Sequence, residues 1–454
     1  MYDTIAAIAT PQAAGGIGIV RISGEKATEI ADKVFCAADG MLLNVSKGYT
    51  AHYGYVHNGN NKIDEAIALV FKTPRSYTGE DVVELSCHGG LYVIRCVLRA
   101  VLDNGARMAE AGEFTRRAFE NGKKSLTQAE AVMDIISAQG EQAARAAMAA
   151  MDGNLAKKIS KIKKELTDYA AHLAAWADYP EEDLIPVDNA TLSNDLHKCI
   201  VELKKMIAEG DKGKIIRDGV DTVIVGKPNV GKSTLMNCLA GCDRSIVTHY
   251  AGTTRDIVEE KVVVGDVILR LADTAGIHDT LDPVEKIGVE KAKDRMNKAG
   301  LVIAVFDNST PLDQDDINLI QSIKNSSCVA VINKNDMDPM LDYDYIKRNI
   351  QKVVYISAKD ENGIDELGTA ISDLLGVADI NPSDGILSGE RQLTCCKNCL
   401  ISVEEARNAL DSGMTLDAVN VSLDSAISFL LELTGERVTD VVTDAVFHNF
   451  CVGK

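Results

Sequence analysis

The sequence predicts a multidomain protein in which an N-terminal α+β segment precedes a helical bundle, and a parallel α/β domain is inserted into that bundle. Three textures carry this expectation. Residues 1–118 alternate short β-rich runs with glycine turns, residues 119–214 and 377–454 read as helix, with the first of these stretches rich in alanine, and residues 215–376 alternate apolar strands with helices.

Taken in order, GGIGIVRIS, TAHYGYVH and EAIALVF have strand composition, and VVELSCHGG runs into the helical pattern LYVIRCVLRAVL. From about Ser125, LTQAEAVMDIISAQGEQAARAAMAAM and LAKKISKIKKELTDYAAHLAAWAD contain few strand formers and favour helix. Between Lys214 and about Val377 the runs TVIVG, VILRLAD, LVIAVFD, CVAVINK and KVVYIS are apolar, as strands buried on both faces of a parallel sheet must be. The polar stretch ADINPSDGILSGE closes this domain and the helical texture returns. Insertion into a helical domain built from both flanks is the simplest arrangement, because insertions are tolerated where chain ends lie close together.

At 454 residues the chain has room for two to four domains, each with its own core. Its 48 Lys+Arg against 67 Asp+Glu give a formal charge of -19, which argues against a protein that coats nucleic acid over its whole surface and leaves a local basic patch open. No run reaches the ~18 apolar residues that suggest a membrane helix, and MYDTIAAIATPQ lacks the layout of a signal peptide. A soluble, cytoplasmic protein with no membrane association is expected. Eleven cysteines are scattered from Cys36 to Cys451 without the spacing of a disulfide framework, so most are expected to be buried or free thiols. Cys395, Cys396 and Cys399 form the one dense cluster. It lacks two further ligands at metal spacing and lies in a helical pattern, RQLTCCKNCLISVEEARNAL, which favours packing over a metal or redox role.

The strongest chemical signal is GKPNVGKS, Gly226 to Ser233, between the strand DTVIV and the helix STLMNCLAG, which is the setting a phosphate-binding loop requires. Gly226 and Gly231 permit the backbone to turn its amides toward a β-phosphate, and the helix N-terminus adds a favourable field. Lys232 would reach the β- and γ-phosphates and Ser233 would ligate Mg²⁺. DTAG, Asp273 to Gly276, follows VILRLA: Asp273 would hold Mg²⁺ through its water shell and Gly276 would offer its N–H to the γ-phosphate. NKND, Asn333 to Asp336, chooses the base. The Asp336 carboxylate can accept from both N1–H and the 2-amino group of guanine, whereas adenine offers neither donor. SAK, Ser357 to Lys359, would support guanine O6.

In SIVTHYAGTTRD, residues 245–256, Thr254 is placed to ligate Mg²⁺ while the γ-phosphate is present and to let go after hydrolysis. Nucleotide contacts are therefore expected from Asn229, Val230, Gly231, Lys232, Ser233 and Thr234; from Thr248, His249, Tyr250, Ala251, Gly252, Thr253 and Thr254; from Asp273, Thr274, Ala275 and Gly276; and from Asn333, Lys334, Asn335, Asp336, Ser357, Ala358 and Lys359. The inserted domain reads as a Ras-like phosphate-loop GTPase domain. Ile277 follows DTAG, near where Ras-type proteins carry a water-positioning Gln, so another group must orient the water.

GKPNVGKST, AGTTRD, DTAG, the inserted arrangement and the terminal CVGK together resemble the MnmE (also TrmE) family of tRNA modification GTPases over essentially the full length. The family tail is Cys, a small aliphatic residue, Gly, Lys, most familiarly with Ile; here Cys451, Val452, Gly453 and Lys454 occupy it. The resemblance implies a homodimer formed through the N-terminal domains and GTPase domains that meet across a K⁺ ion in place of an arginine finger. Asn229, Thr248, Tyr250 and Thr253 match the K⁺-contacting positions, and Glu285 in DPVEKIG matches the family's water-orienting glutamate, which residue chemistry alone does not single out from Asp279 or Asp282.

The resemblance further implies that the N-terminal segment is a tetrahydrofolate-binding-like domain, with Arg21, Glu84, Lys123 and Lys454 holding a formyl- or methylene-tetrahydrofolate. Cations suit a folate's glutamyl tail and a carboxylate suits the pterin edge, while Arg21 and Glu84 can also be read as structural strand residues. Cys451 is either a nucleophile or general acid/base on a uridine ring or an ordinary tail thiol. KKISKIKK, Lys157 to Lys164, either meets tRNA phosphates or is a solvated face. The activity implied is modification of carbon 5 of the wobble uridine in tRNA, a carboxymethylaminomethyl-type addition, in a heterotetramer with a flavin-dependent MnmG/GidA-type protein. The competing readings are a ribosome-assembly GTPase of the Era or Der type, for which no GXXG loop in a basic context is evident, and a dimeric scaffold with vestigial hydrolysis, against which the intact set Lys232, Ser233, Thr254, Asp273 and Asp336 argues.

Overall fold

Small and β-branched residues at alternate positions let the N-terminal strands bury one face while the other stays polar or open. The computed structural model describes residues 3–178, 188–241, 260–271, 299–448 and 450–454. The chain divides into two units, Met1–Met133 with Leu430–Lys454, and Asp134–Phe429.

In the first unit β1 (Ile5–Ile8), β2 (Ile17–Ser23), β3 (Phe35–Ala37), β4 (Thr50–Asn58), β5 (Asn61–Phe71), β6 (Val82–His88) and β7 (Arg107–Met108) form a sheet in the order β3-β4-β5-β6-β2-β1-β7. All neighbours are antiparallel except β1 with β7. Helices Ala27–Val34 and Leu91–Asp103 cover one face, packing Ile30, Val34, Val97 and Val101 against Val20, Ile22, Val83 and Leu85. The register opposes Arg21 to Glu84 across β2 and β6.

The chain's end belongs to this unit. Phe447 lies 6.4 Å from Phe119 and 5.1 Å from Phe450, ring centre to centre, and Val452 bridges to Ala111. Gly453 has φ +99, and a Cβ there would stand 2.3 Å from the Ile8 carbonyl oxygen, so only glycine lets the tail lie this close to β1.

In the second unit β8 (Val220–Val225), β9 (Glu260–Val264), β10 (Val267–Leu271), β11 (Leu301–Asp307), β12 (Cys328–Asn333) and β13 (Lys352–Tyr355) form a sheet in the order β13-β12-β11-β8-β10-β9. Every pairing is parallel except β9 with β10. β11 and β12 are buried at every residue, as their unbroken apolar runs predict. Ile303 and Val305 face a core with Leu235, Leu239, Leu367 and Ile371, and Ala304 and Phe306 face another with Ile320, Ile323 and Ile346. Chain order reverses between β8 and β11, and ligands of such sheets bind at the carboxyl ends of the strands at that reversal.

Helices Glu141–Met151, Asn154–Asp178, Asn189–Asp218 and Glu390–Asp411 also belong to this unit. Gly210 lets Asn189–Asp218 lie close to the segment before and into Glu390–Asp411: an added Cβ would meet Leu393 Cδ2 at 2.7 Å and Leu387 Cβ at 2.9 Å. Cys395, Cys396 and Cys399 are buried on Glu390–Asp411. Burial pushes the Cys396 thiol up to about 12 and raises Cys399 as well, as it does for thiols packed among apolar side chains. The cluster is part of the helix packing.

Arg117 is the largest buried polar side chain of the first unit. It is 2% exposed and donates to Glu113 at 2.9 Å, Glu80 at 3.2 Å and the Asp3 backbone oxygen at 2.8 Å. Burial pushes the Glu113 carboxyl up, but bonds from Arg107, the Glu110 amide and Arg117 outweigh it and hold the group below its ordinary range. A depressed folded pKa supplies stability that is complete above the unfolded value and lost as pH falls through the folded one. Arg117→Met should therefore cost about 3 kcal/mol at pH 7, since it takes the buried guanidinium from the partly buried Glu80 and Glu113 carboxylates. Urea unfolding of the full chain at pH 7 and at about pH 4 checks this, because the gap between wild type and variant should narrow at the lower pH as the carboxylates protonate. A gap that does not change with pH would mean that the ion cluster is not what Arg117 contributes.

Candidate functional site

β8 ends in the loop 226–231, which bends through three left-handed residues, Gly226 at φ +151, Asn229 at +64 and Gly231 at +97. A Cβ on Gly226 would meet the Val305 oxygen at 2.4 Å, and one on Gly231 would meet Asn333 Nδ2 at 2.2 Å. The second contact explains the tight fit. Asn333, buried at the end of β12, donates from Nδ2 to the Val230 carbonyl at 2.9 Å and accepts at Oδ1 from the Ala358 amide at 3.0 Å. One carboxamide thus joins the phosphate loop to the loop after β13.

Helix Lys232–Gly241 begins directly after the loop, with the Ser233 and Thr234 side chains exposed at its first turn. Lys232 Nζ donates to the Gly226 oxygen at 2.9 Å and the Lys227 oxygen at 2.6 Å, so the ammonium is held over the loop. Lys227 is itself fastened: its ammonium pairs with Asp313 at 2.6 Å and with the buried Asp316 at 2.7 Å. Those carboxylates cap helix Gln314–Ile323.

At the base-recognition end Lys334 takes φ +63 and its ammonium pairs with Asp307 at the end of β11. Burial raises the Asp307 carboxyl, but the Lys334 and Ser309 bonds outweigh that and hold it below its ordinary range. Asn335 donates its amide to the Ile356 oxygen at 3.0 Å, and Ser357 Oγ bonds Asp336 Oδ1 at 2.9 Å. Asp336, Asn335 and Lys359 remain exposed. A loop of amides and an ammonium therefore lies at one end of the crevice and an exposed carboxylate at the other, which suits a phosphate chain and a base with adjacent N–H donors.

The first unit holds a second polar cluster. Arg21 Nε donates to Glu84 Oε1 at 2.7 Å, and its terminal nitrogen donates to the Gly453 carbonyl at 3.1 Å. The guanidinium also lies 5.5 Å from the Tyr77 ring centre and 5.6 Å from that of Phe114. Lys454 is held below its ordinary range by burial and then by Arg21, while Glu84 and Cys451 pull the other way. Arg21, Glu84, Cys451 and Lys454 are thus brought together. Lys123 stands apart, donating to the Pro74 oxygen at 3.0 Å, and its neighbour Lys124 is the one whose ammonium lies 5.8 Å from Tyr77.

Residues 4–123 match the family model described as GTP-binding protein TrmE N-terminus, and residues 126–451 match that of the MnmE helical domain. The chain belongs to the MnmE family. Among its relatives, "tRNA modification GTPase MnmE" of Clostridioides difficile (strain 630) is 41% identical over 455 residues, covering 100% of this chain and 99% of that protein. The protein of the same name from Alkaliphilus oremlandii (strain OhILAs) is 42% identical over 460 residues with the same coverage. Membership makes this MnmE protein a GTP hydrolase of tRNA modification, and it decides against the ribosome-assembly alternative.

Of the expected nucleotide contacts, those from Asn229 to Thr234, Asn333 to Asp336 and Ser357 to Lys359 are gathered around the β8, β12 and β13 ends. Thr248, His249, Tyr250, Ala251, Gly252, Thr253, Thr254, Asp273, Thr274, Ala275, Gly276 and Glu285 lie outside the described residues. Sequence reasoning missed Lys227, Asp307 and Asp316 at the nucleotide site and Tyr77 and Lys124 at the other. Lys227 stands inside the GKPNVGKS motif, but its carboxylate partners are remote in sequence and carry no motif of their own.

Asn333→Ala removes a donor and an acceptor at once and leaves the Val230 oxygen and Ala358 amide without that partner. At roughly 1–3 kcal/mol for each stranded group, nucleotide affinity should fall at least tenfold. Asp336→Asn should weaken GTP by about 10–100-fold through loss of the charged acceptor while leaving the fold intact. Titration with a fluorescent guanine nucleotide reads both, and unchanged affinity in either would remove that residue from the site.

Proposed function

We propose that this MnmE protein is a K⁺-activated GTPase that modifies carbon 5 of wobble uridine in tRNA, a carboxymethylaminomethyl-type addition. It would act in the cytoplasm as a homodimer, in a heterotetramer with a flavin-dependent MnmG/GidA-type partner. The same reading divides the chain into a folate-binding and dimerisation domain 1–118, a helical domain 119–214 with 377–454, and a GTPase domain 215–376. The observation that carries the GTPase part is the Asn333 carboxamide, which bonds both the phosphate loop and the 357–359 loop and so makes one site of the two.

In this reading Lys232 leaves the Gly226 and Lys227 carbonyls for the β- and γ-phosphates, while Asp336 accepts from the guanine N–H groups. Ser233, whose hydroxyl is exposed, would hold Mg²⁺ with Thr254, and Asp273 would act through the water shell. Asn229, exposed on the loop rim, fits a K⁺ site shared with Thr248, Tyr250 and Thr253. Either cation would neutralise charge that develops on the phosphates. Glu285 would orient the attacking water.

Arg21, Glu84 and Lys454, with Lys123 at the margin, would bind formyl- or methylene-tetrahydrofolate, which supplies a one-carbon unit. The half-buried Lys454 ammonium beside Arg21 suits an anionic glutamyl tail, and Glu84 suits a pterin edge. Cys451, exposed beside that cluster, would act on the uridine ring as nucleophile or general acid/base.

GTP turnover in K⁺ should exceed that in Na⁺ at equal ionic strength by tenfold or more, the equivalent of about 1.4 kcal/mol of transition-state stabilisation. Equal rates would leave a GTPase and remove the ion-activated mechanism. Glu285→Ala should keep GTP affinity and slow hydrolysis by about 10²-fold or more, and normal turnover in K⁺ would remove the glutamate from its assigned role. Deleting Gly453 and Lys454 should weaken tetrahydrofolate binding by about tenfold, the worth of a charged hydrogen bond, with basal GTP turnover unchanged. Unaltered folate affinity would place that ligand elsewhere.

A further inference from the structure

The helix Asn154–Asp178 carries Lys157, Lys158, Lys161, Lys163 and Lys164 with no acidic residue among them, in a chain whose formal charge is -19. Its inner face is apolar: Leu155, Ile159, Ile162 and Leu166 are all buried. Lys157, Lys161 and Lys164 point the other way and are exposed. Steps of four and three residues put them on one side of the helix, spread over about 10 Å at 1.5 Å per residue.

What distinguishes this face is how little of it is neutralised. On the helix Asn189–Asp218, Lys198 pairs with Asp195, Lys204 with Glu404, Lys205 with Glu209 and Lys214 with Glu390. Among the described residues, Lys157, Lys158, Lys161 and Lys164 take part in no salt bridge. The nearest acid after the run, Glu165, accepts from Cys199 Sγ at 3.6 Å instead. Clustered ammoniums repel one another, and a protein with a large negative charge has many carboxylates with which to quench them. An unquenched stripe therefore matches a partner that brings its own negative charges at short, regular spacing.

We propose that this lysine face docks the phosphate backbone of tRNA, so that the helix positions the substrate without reading its sequence. The assignment rests on the reading that the chain itself contacts tRNA. Charge complementarity argues for it: a chain of net charge -19 repels a polyanion on average and draws it to a local positive face, and three aligned ammoniums would each release a counterion from the phosphates they meet.

The test uses full-length protein, a tRNA transcript and fluorescence anisotropy over a series of salt concentrations. The variant Lys157→Gln/Lys161→Gln/Lys164→Gln keeps helix-forming residues at exposed positions. It should bind tRNA about tenfold or more weakly at low salt, and its slope of log affinity against log salt should be shallower by roughly 2–3, at 0.7–0.9 per lost phosphate contact. The matching arginine variant should bind as wild type does, and GTP turnover should be unchanged in both. If wild type binds tRNA and the glutamine variant binds it with the same affinity and slope, the lysine face is not the docking surface while the tRNA reading stands. If wild type shows no salt-dependent tRNA binding, direct contact with tRNA fails, and the docking proposal with it.

Discussion

The nucleotide site depends on a carboxamide that can serve two loops at once. Asn333 ends β12, where the sheet's own register fixes its backbone, and its side chain reaches sideways to Val230 on one loop and Ala358 on another. Only a side chain with a donor and an acceptor on one short stem can do this. An aspartate there would face the Val230 oxygen with a second acceptor, and a glutamine would carry the amide a methylene too far. The absence of a Cβ on Gly231 follows from the same constraint, since that atom would occupy the place of Asn333 Nδ2. Two residues from separate motifs are therefore one packing decision.

The N-terminal cluster applies comparable logic with charges. Arg21 and Glu84 face each other because β2 and β6 pair in the register that opposes them, and the strand pair alone would leave an arginine with spare donors. The tail supplies the missing acceptor at Gly453, whose left-handed backbone permits approach to β1. Closing the tail has an electrostatic cost, because it brings the Lys454 ammonium toward a guanidinium, and burial adds to it. Two cations are thus gathered around one carboxylate, and the register of β2 and β6 together with the tail's glycine, not pairwise attraction alone, holds them there.

Much of this was legible in the sequence, and the legible parts share a cause. The phosphate loop, the strands before it and the guanine-recognition run are fixed by local rules: glycines where φ must be positive, unbroken apolar strands, a lysine at set spacing. The parts that were not legible are pairings between residues far apart in the chain. Lys227 finds Asp313 and Asp316 only once β11 has brought the capped helix alongside, and Lys334 finds Asp307 for the same reason. Lys123 and Lys124 differ by one position after the end of helix Glu113–Glu120, and that step decides which ammonium meets Pro74 and which meets Tyr77. Spacing cannot settle such a choice, because it depends on how the chain leaves the helix.

The fastening of the phosphate loop from both sides bears on how it binds nucleotide. A flexible loop would have to be ordered when the phosphates arrive, at roughly 1–2 kcal/mol for each residue fixed. Here the inner end is held by Asn333 and the outer end by Lys227, whose carboxylate partners are the helix cap itself. The Lys232 ammonium has two carbonyl acceptors within the loop. Its transfer to phosphate oxygens exchanges neutral acceptors for charged ones, about doubling the strength of each bond without creating an unsatisfied ammonium on the way. A loop held in this way at both ends leaves more of any phosphate-binding energy for the phosphates than a loose loop, which would spend part of it on order.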